Sequence, residues 1–409
     1  MSLRTSLLVL NAVAFVVIAG FIVWRVFSIR RNPERTPANK AEFLPDEDLE
    51  GRRLERVLGW SLIFVMIVAV SLPIYFLVEP ERQVSAEEAF LERSEARGAT
   101  LFAAKQSLAY DATKSLLCAN CHGVQGQGGT APFVLQPEAD ICLKKQNQGK
   151  ESVPECLPKN VNWAAPALNS ALLRFDRKQL TQIITYGRPG TPMPAWGVVS
   201  GKGILNEQGI NDLVNYIASI QITSRKAQDI STQAVPEYRQ GGKQVVANAN
   251  DRLSQAQKDL ATAQAEPSTD ATTLARLQLA VAKAERGVVS AQAYATEVAN
   301  LSDGAILFRL NCARCHTKGW SYYDPTAVDV PPLPPQGSGA YGPSLRDGAT
   351  QLQFPGEAGV QQQFDWVAIG VPENNLYGKR GISSGRMPHF GKMLTDDQIK
   401  QIVAYERSL

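Results

Sequence analysis

The sequence predicts a mainly α-helical chain. Two N-terminal transmembrane helices come first, then two copies of one small helical domain with an antiparallel helical hairpin between them. Three observations carry this reading. Two uncharged apolar runs of near-membrane length fill the start of the chain. A set of short motifs then recurs in the same order. Between the recurrences, an alanine-rich stretch repeats apolar residues at steps of three and four. A length of 409 residues is more than one hydrophobic core organises.

The apolar runs are Ser6–Trp24 and Leu58–Val78. Each is close to the ~20 residues that cross a bilayer. Trp24, Trp60 and Tyr75 sit toward their ends, where amphipathic rings favour headgroups. Pro73 is tolerable near the end of a membrane helix. Arg25 follows the first run where a signal peptide would have a small-residue cleavage site, so the run reads as a retained span. The connecting loop, 25–57, carries Arg25, Arg30, Arg31, Arg35, Lys40, Arg52, Arg53 and Arg56, against Arg4 alone in the N-terminal tail. The positive-inside rule puts this loop in the cytoplasm and everything after Glu79 outside. The expected division is 1–83 for the membrane anchor, 84–222 for the first domain, 223–300 for a linker with the hairpin, and 301–409 for the second domain. A net charge of +3 gives no footprint for nucleic acid.

The repeat is specific. RGATLF (97–102) matches DGAILF (303–308), and each leads into C-x-x-C-H. YGRPGTPMPAWG (186–197) matches SGRMPHFG (384–391), and 205–220 aligns on 394–409 without a gap. In that last pair Leu205, Ile210, Leu213, Val214 and Tyr216 face Leu394, Ile399, Ile402, Val403 and Tyr405, at helical spacing behind Asn206 or Thr395 as N-cap. The copies differ by insertions. The first carries a loop, 131–162, with Cys142 and Cys156; the second carries a proline-rich loop, 325–342, which excludes helix and central strand. Between the copies, 240–300 holds two stripes, Val246–Ala263 and Leu274–Val298, broken by AEPSTDA. This predicts a hairpin that serves either as a spacer or as a docking arm for a partner subunit.

In a helix, residues i, i+3 and i+4 share a face, so Cys118, Cys121 and His122 point one way, as do Cys312, Cys315 and His316. Two thiols with an adjacent imidazole suit covalent haem: the thiols add to the vinyl groups and the imidazole ligates iron. A zinc site needs more ligands than six cysteines and three histidines leave available. For the opposite axial position, Met193 and Met387 hold repeat-equivalent places, both 71 residues after the histidine, in loops stiffened by Pro and Gly. Met393 reads as packing, and His389 is the alternative ligand in the second copy. Cys142 and Cys156 are an even pair beyond the membrane and read as a disulfide.

With these residues in place, each copy resembles a class I c-type cytochrome domain. In that family the two terminal helices cross near the haem, and Gly98, Phe102 and Tyr216, with Gly304, Phe308 and Tyr405, match the crossing. A proline carbonyl accepts from the proximal histidine there, which implies Pro166 of APAL and Pro343 of GPSL. The anchor plus two such domains is similar in layout to the di-haem subunit of cbb-type oxidases. By haem count it is similar to the cytochrome cc subunit of actinobacterial quinol–cytochrome c reductases, although that family carries a C-terminal membrane helix and this chain ends after its last haem-domain helix.

The resemblance implies two haem c groups with His/Met iron and no open position, hence single-electron transfer rather than catalysis. No catalytic residue and no small-molecule substrate is expected. The expected role is a subunit passing electrons from a quinol-oxidising complex, with cytochrome b and a Rieske iron–sulfur protein, to a haem–copper oxidase. The alternatives are a free-standing anchored shuttle, or a haem enzyme or sensor with one open iron position.

Overall fold

The computed structural model describes residues 3–31, 51–137, 142–143, 156–328, 330–370 and 387–409. Most of the basic loop 25–57, parts of the insert 131–162, Asp329, and residues 384–386 of the second methionine loop lie outside the described residues. The chain forms two compact units, Met1–Glu92 and Arg93–Leu409.

In the first unit, α1 (Leu3–Arg31) contains the first apolar run, and Ala12–Ser28 is its apolar described part. The helix α2 (Arg52–Phe102) contains the second run. Among the described residues one helix, Leu54–Phe102, is long and apolar enough to cross a membrane. Pro73 and Pro80 lie inside α2 and do not end it. The expected boundary at 83/84 falls within this continuous helix, because the following segment is dense in Ala, Glu, Arg and Leu, all strong helix formers. The division between units comes at Glu92/Arg93 instead.

The second unit is mainly helical, with separate apolar cores for the two repeats. In the first, the end of α2 is followed by α3 (Cys118–His122), the strands β1 (Gly129–Leu135) and β2 (Lys159–Ala165), α4 (Arg177–Tyr186) and α5 (Glu207–Ser219). Phe102, Leu180, Ile184, Ile210, Leu213, Val214 and Ile217 fill its core. The crossing of α2 and α5 depends on Gly98: a Cβ there would lie 2.0 Å from the Asp212 carbonyl oxygen. Phe102 and Tyr216 meet beside it with ring centroids 5.2 Å apart. Asp212 is buried and fixes the same crossing from its carboxylate, which accepts Nε and Nη2 of Arg97 at 2.7 Å and the Ser94 hydroxyl at 2.6 Å.

The second repeat follows the hairpin helices α6 (Ser224–Ala265) and α7 (Ala271–Ala299). It comprises α8 (Asp303–Asn311), α9 (Ala313–His316), α10 (Ala349–Gln353), α11 (Gly356–Ile369) and α12 (Asp396–Glu406). Gly304 allows the same crossing, since its Cβ would lie 2.1 Å from the Gln401 carbonyl oxygen, and Phe308 meets Tyr405 at 5.4 Å. The expected N-caps form. Asn206 Oδ1 accepts the Gly209 amide, and Thr395 and Gln398 make a reciprocal capping box.

Two elements differ from the sequence reading. The insert and its flanks form an antiparallel two-stranded ribbon, with Gly129 opposite Ala165 and Leu135 opposite Lys159. In the segment that connects the two strands, a disulfide joins Cys142 and Cys156, as expected. The hairpin begins at Ser224 rather than near 240, because Thr223 caps the helix by accepting the Lys226 amide. The stripe residues Ala249, Ala284, Ala291 and Val298 are buried. The root of the hairpin packs on the second repeat. Val235 joins its core, Arg239 pairs with Asp303 at 2.6 Å, and a Cβ at Gly287 would lie 2.1 Å from the Val328 carbonyl oxygen of the proline-rich loop.

Substituting Ala for Gly304 or Gly98 forces the crossed helices apart. Each variant is expected to lose about 1–3 kcal/mol of stability, seen as a lowered melting temperature of the folded chain.

Candidate functional site

The segment α3 follows Leu117, whose left-handed backbone (φ 62°) turns the chain into the C-x-x-C-H helix. Cys118, Cys121, Cys312 and Cys315 are not joined in disulfides. Burial pushes the Cys118 thiol up to about 12 and the Cys312 thiol well above its usual range. A redox dithiol needs the opposite shift, so neither pair is built as one.

Both histidines are held the same way. His122 Nδ1 lies 2.9 Å from the Pro166 carbonyl oxygen, and His316 Nδ1 lies 2.9 Å from that of Pro343. A carbonyl only accepts, so each Nδ1 carries the proton and each Nε2 presents its lone pair. Burial lowers both imidazoles below their ordinary value, against the proline carbonyls, which act in the raising direction. Neutral imidazole with a free Nε2 is the form that binds a metal. Gly342 makes room for the second ring: a Cβ there would lie 2.6 Å from His316 Cε1. The glycine amide in turn donates to the Cys315 carbonyl at 2.8 Å.

In the second repeat, Cys315, His316, Tyr341, Pro343, Trp366 and Met387 line one cleft. Met387 also packs against the core, as does Met393, which the sequence assigned to packing. Met387 rather than His389 faces the cleft. In the first repeat Met193 is partly buried in a turn closed by two bonds, from the Arg188 amide to the Met193 carbonyl (3.1 Å) and from the Met193 amide to Thr191 Oγ1 (3.2 Å). A cleft lined by a motif thiol, a neutral imidazole and a thioether, with the second motif cysteine three residues away in sequence, fits haem c.

The two repeats touch inside the second unit. Trp163 of β2 contacts Tyr322 with centroids 5.5 Å apart, and the Tyr341 hydroxyl donates to the Gly190 carbonyl at 3.3 Å. Arg314, between Cys312 and Cys315, donates from Nη1 to the Ala164 carbonyl.

Sequence reasoning missed Gly342, Arg314 and Glu406. Only Glu406 left a signal. It stands opposite Ile217 in the gapless repeat alignment, on the stripe of Ile399, Ile402 and Val403, so a carboxyl occupies an apolar position. It is buried, lines the cleft and accepts from Gln363 Nε2 at 2.9 Å.

A family model described as cytochrome c matches residues 95–221, and one described as cytochrome C oxidase, cbb3-type, subunit III, matches residues 299–405. Neither the curated proteins nor the solved structures gave a match. The two matches support a c-type cytochrome with covalently bound haem c, and with it electron transfer. The cbb3-type match points further, toward partners in a respiratory complex.

Two outcomes are expected. Gly342→Ala displaces the His316 ring; with haem attached at both motifs, as proposed below, peptide mapping by mass spectrometry should find it lost from Cys312/Cys315 but retained on Cys118/Cys121. Burial pushes the Glu406 carboxyl up to about 7, against the Gln363 hydrogen bond, while in the unfolded chain it titrates near 4.5. The folded state therefore holds the proton more tightly, and stability falls as pH rises from about 4.5 to 7, by on the order of 3 kcal/mol. Glu406→Gln should flatten that part of the profile in chemical denaturation.

Proposed function

We propose that this chain is a membrane-anchored di-haem cytochrome subunit that passes single electrons on the extracytoplasmic side of a bacterial membrane. Its route runs from a quinol-oxidising complex to a haem–copper oxidase. The observation that carries the reading is the duplicated histidine–proline bond behind each C-x-x-C-H, with a methionine in the equivalent loop of each repeat. Cys118 and Cys121, and Cys312 and Cys315, attach one haem c each. His122 and His316 would hold the iron through Nε2, and Met193 and Met387 would supply the second protein ligand of each. Pro166 and Pro343 orient the imidazoles and raise their basicity. When bound, haem c supplies a one-electron iron couple whose potential a methionine ligand raises. With a histidine and a methionine of the chain available to each iron, the protein would relay electrons rather than transform a substrate. The runs 6–24 and 58–78 span the membrane twice, with loop 25–57 in the cytoplasm. Partner subunits are cytochrome b with a Rieske protein, or the oxidase subunits themselves.

A pyridine haemochrome assay is expected to return two thioether-linked haems per polypeptide; one or none overturns the proposal. The reduced wild type should be silent to carbon monoxide. Met193→Ala and Met387→Ala should each make one haem responsive. Wild-type binding of carbon monoxide would favour a sensor or enzyme. Mild detergent purification should bring down respiratory subunits, and a chain that migrates alone would favour a shuttle.

A further inference from the structure

The repeats diverge one residue after their crossing phenylalanines. In the match of 97–102 on 303–308, Phe102 is followed by Ala103 and Phe308 by Arg309. Both places are buried. Alanine brings no charge there, whereas a guanidinium stays charged, and Arg309 lies on α8 within one helical turn of the buried Cys312.

The root of the hairpin covers it. Arg309 Nη2 donates to Glu297 Oε1 of α7 at 3.2 Å, and its guanidinium carbon sits 5.9 Å from the Trp320 ring centre. Its Nε and Nη1 are sealed from solvent and make no hydrogen bond among the described residues. Glu297 is a weak counterweight. Its side chain is 49% exposed against 2% for Arg309, so water screens the carboxylate far more than the guanidinium. Tyr294 of α7 and Tyr323 also feel the charge, with ring centres 6.2 Å apart, but burial pushes both hydroxyls up, so neither offers a phenolate. The field reaches into the second repeat as well. Burial raises the Tyr405 hydroxyl, Arg309 acts on it in the opposite direction, and Tyr405 packs on Phe308 at the helix crossing.

Taking up one electron removes one positive charge from a haem iron, so a fixed cation nearby favours the reduced form. We propose that Arg309, held dry under the hairpin, raises the reduction potential of the haem attached at Cys312 and Cys315, and that Glu297 trims this effect from the hairpin side. Both residues act through their field and not by contact with the cofactor. The first haem, with Ala103 at the equivalent place, has no such charge. The hairpin then does more than space the repeats or meet a partner: it sets a property of its own chain's second redox centre. This rests on the proposed assignment of haem c to the second motif.

The test is an optical redox titration of the full-length detergent-solubilised protein, after a haem count by pyridine haemochrome. Met193→His moves the component of the first haem and so tells the two apart. Arg309→Met keeps most of the volume and removes the charge, an exchange that buried sites often tolerate. It should raise the oxidised-to-reduced ratio of the second component about tenfold at fixed potential, a downward shift of about 59 mV for one electron. Glu297→Gln should move the same component the other way, by about threefold, since its carboxylate is screened. Both changes break the same bond, so a merely structural role predicts shifts of one sign. Shifts of one sign in the two variants would therefore overturn the proposal, as would a ratio within about twofold of wild type for Arg309→Met. An equal shift of the first component would overturn it too. Should Arg309→Met fail to load its second haem, Glu297→Gln decides alone: a shift toward the reduced form supports the proposal, and no shift or the opposite one overturns it. A wild-type count below two haems defeats the underlying assignment, which separates that failure from this one.

Discussion

A proton on the correct ring nitrogen is the condition on which the rest depends. Each histidine gives its Nδ1 proton to a proline carbonyl at 2.9 Å, and proline suits the task because its carbonyl is held by a rigid residue. The bond fixes both the tautomer and the plane of the ring. Everything around it serves to keep that carbonyl in place. In the first repeat Pro166 follows directly on β2, so the ribbon fixes its position. In the second repeat the same job falls to a loop, and Gly342 lets the loop close against the imidazole. One chemical requirement is met by two unlike supports.

The helical frame around these bonds is under equally tight constraint. Where α2 crosses α5 and α8 crosses α12, the backbones approach until no side chain fits, and an aromatic pair flanks each glycine. Such close crossings leave little slack, and core packing of this density transmits small displacements rather than absorbing them. The loops carrying the cysteines start from the ends of these helices. The Leu116 amide, for example, donates to the Leu101 carbonyl at 2.8 Å, tying the approach to Cys118 back to the crossing.

Much of this was legible in the residues, for identifiable reasons. Helix caps depend on local chemistry and short spacing, so Asn206 and Thr395 announced themselves, whereas the crossings at Gly98 and Gly304 were read through the family resemblance. The histidine–proline pairs were legible only through the family resemblance, since 44 and 27 residues separate the partners. The ribbon was illegible because Pro132 lies within β1 and argues against a strand. The early start of the hairpin was missed because Pro236 reads as a helix stop, yet the helix runs through it. Arg314 was beyond reach for a different reason. Its partner, Ala164, is a backbone carbonyl 150 residues away in the other repeat, and carbonyls leave no mark on a sequence.

The strand β2, which begins within the insert that only the first repeat carries, is what offers Trp163 to Tyr322 of the second. Duplication yields two equal halves, but here one contact comes from a ribbon strand of the first that has no counterpart among the described residues of the second. Exchanging their order along the chain would set two unmatched edges against each other, so the modules have become lock and key rather than interchangeable beads.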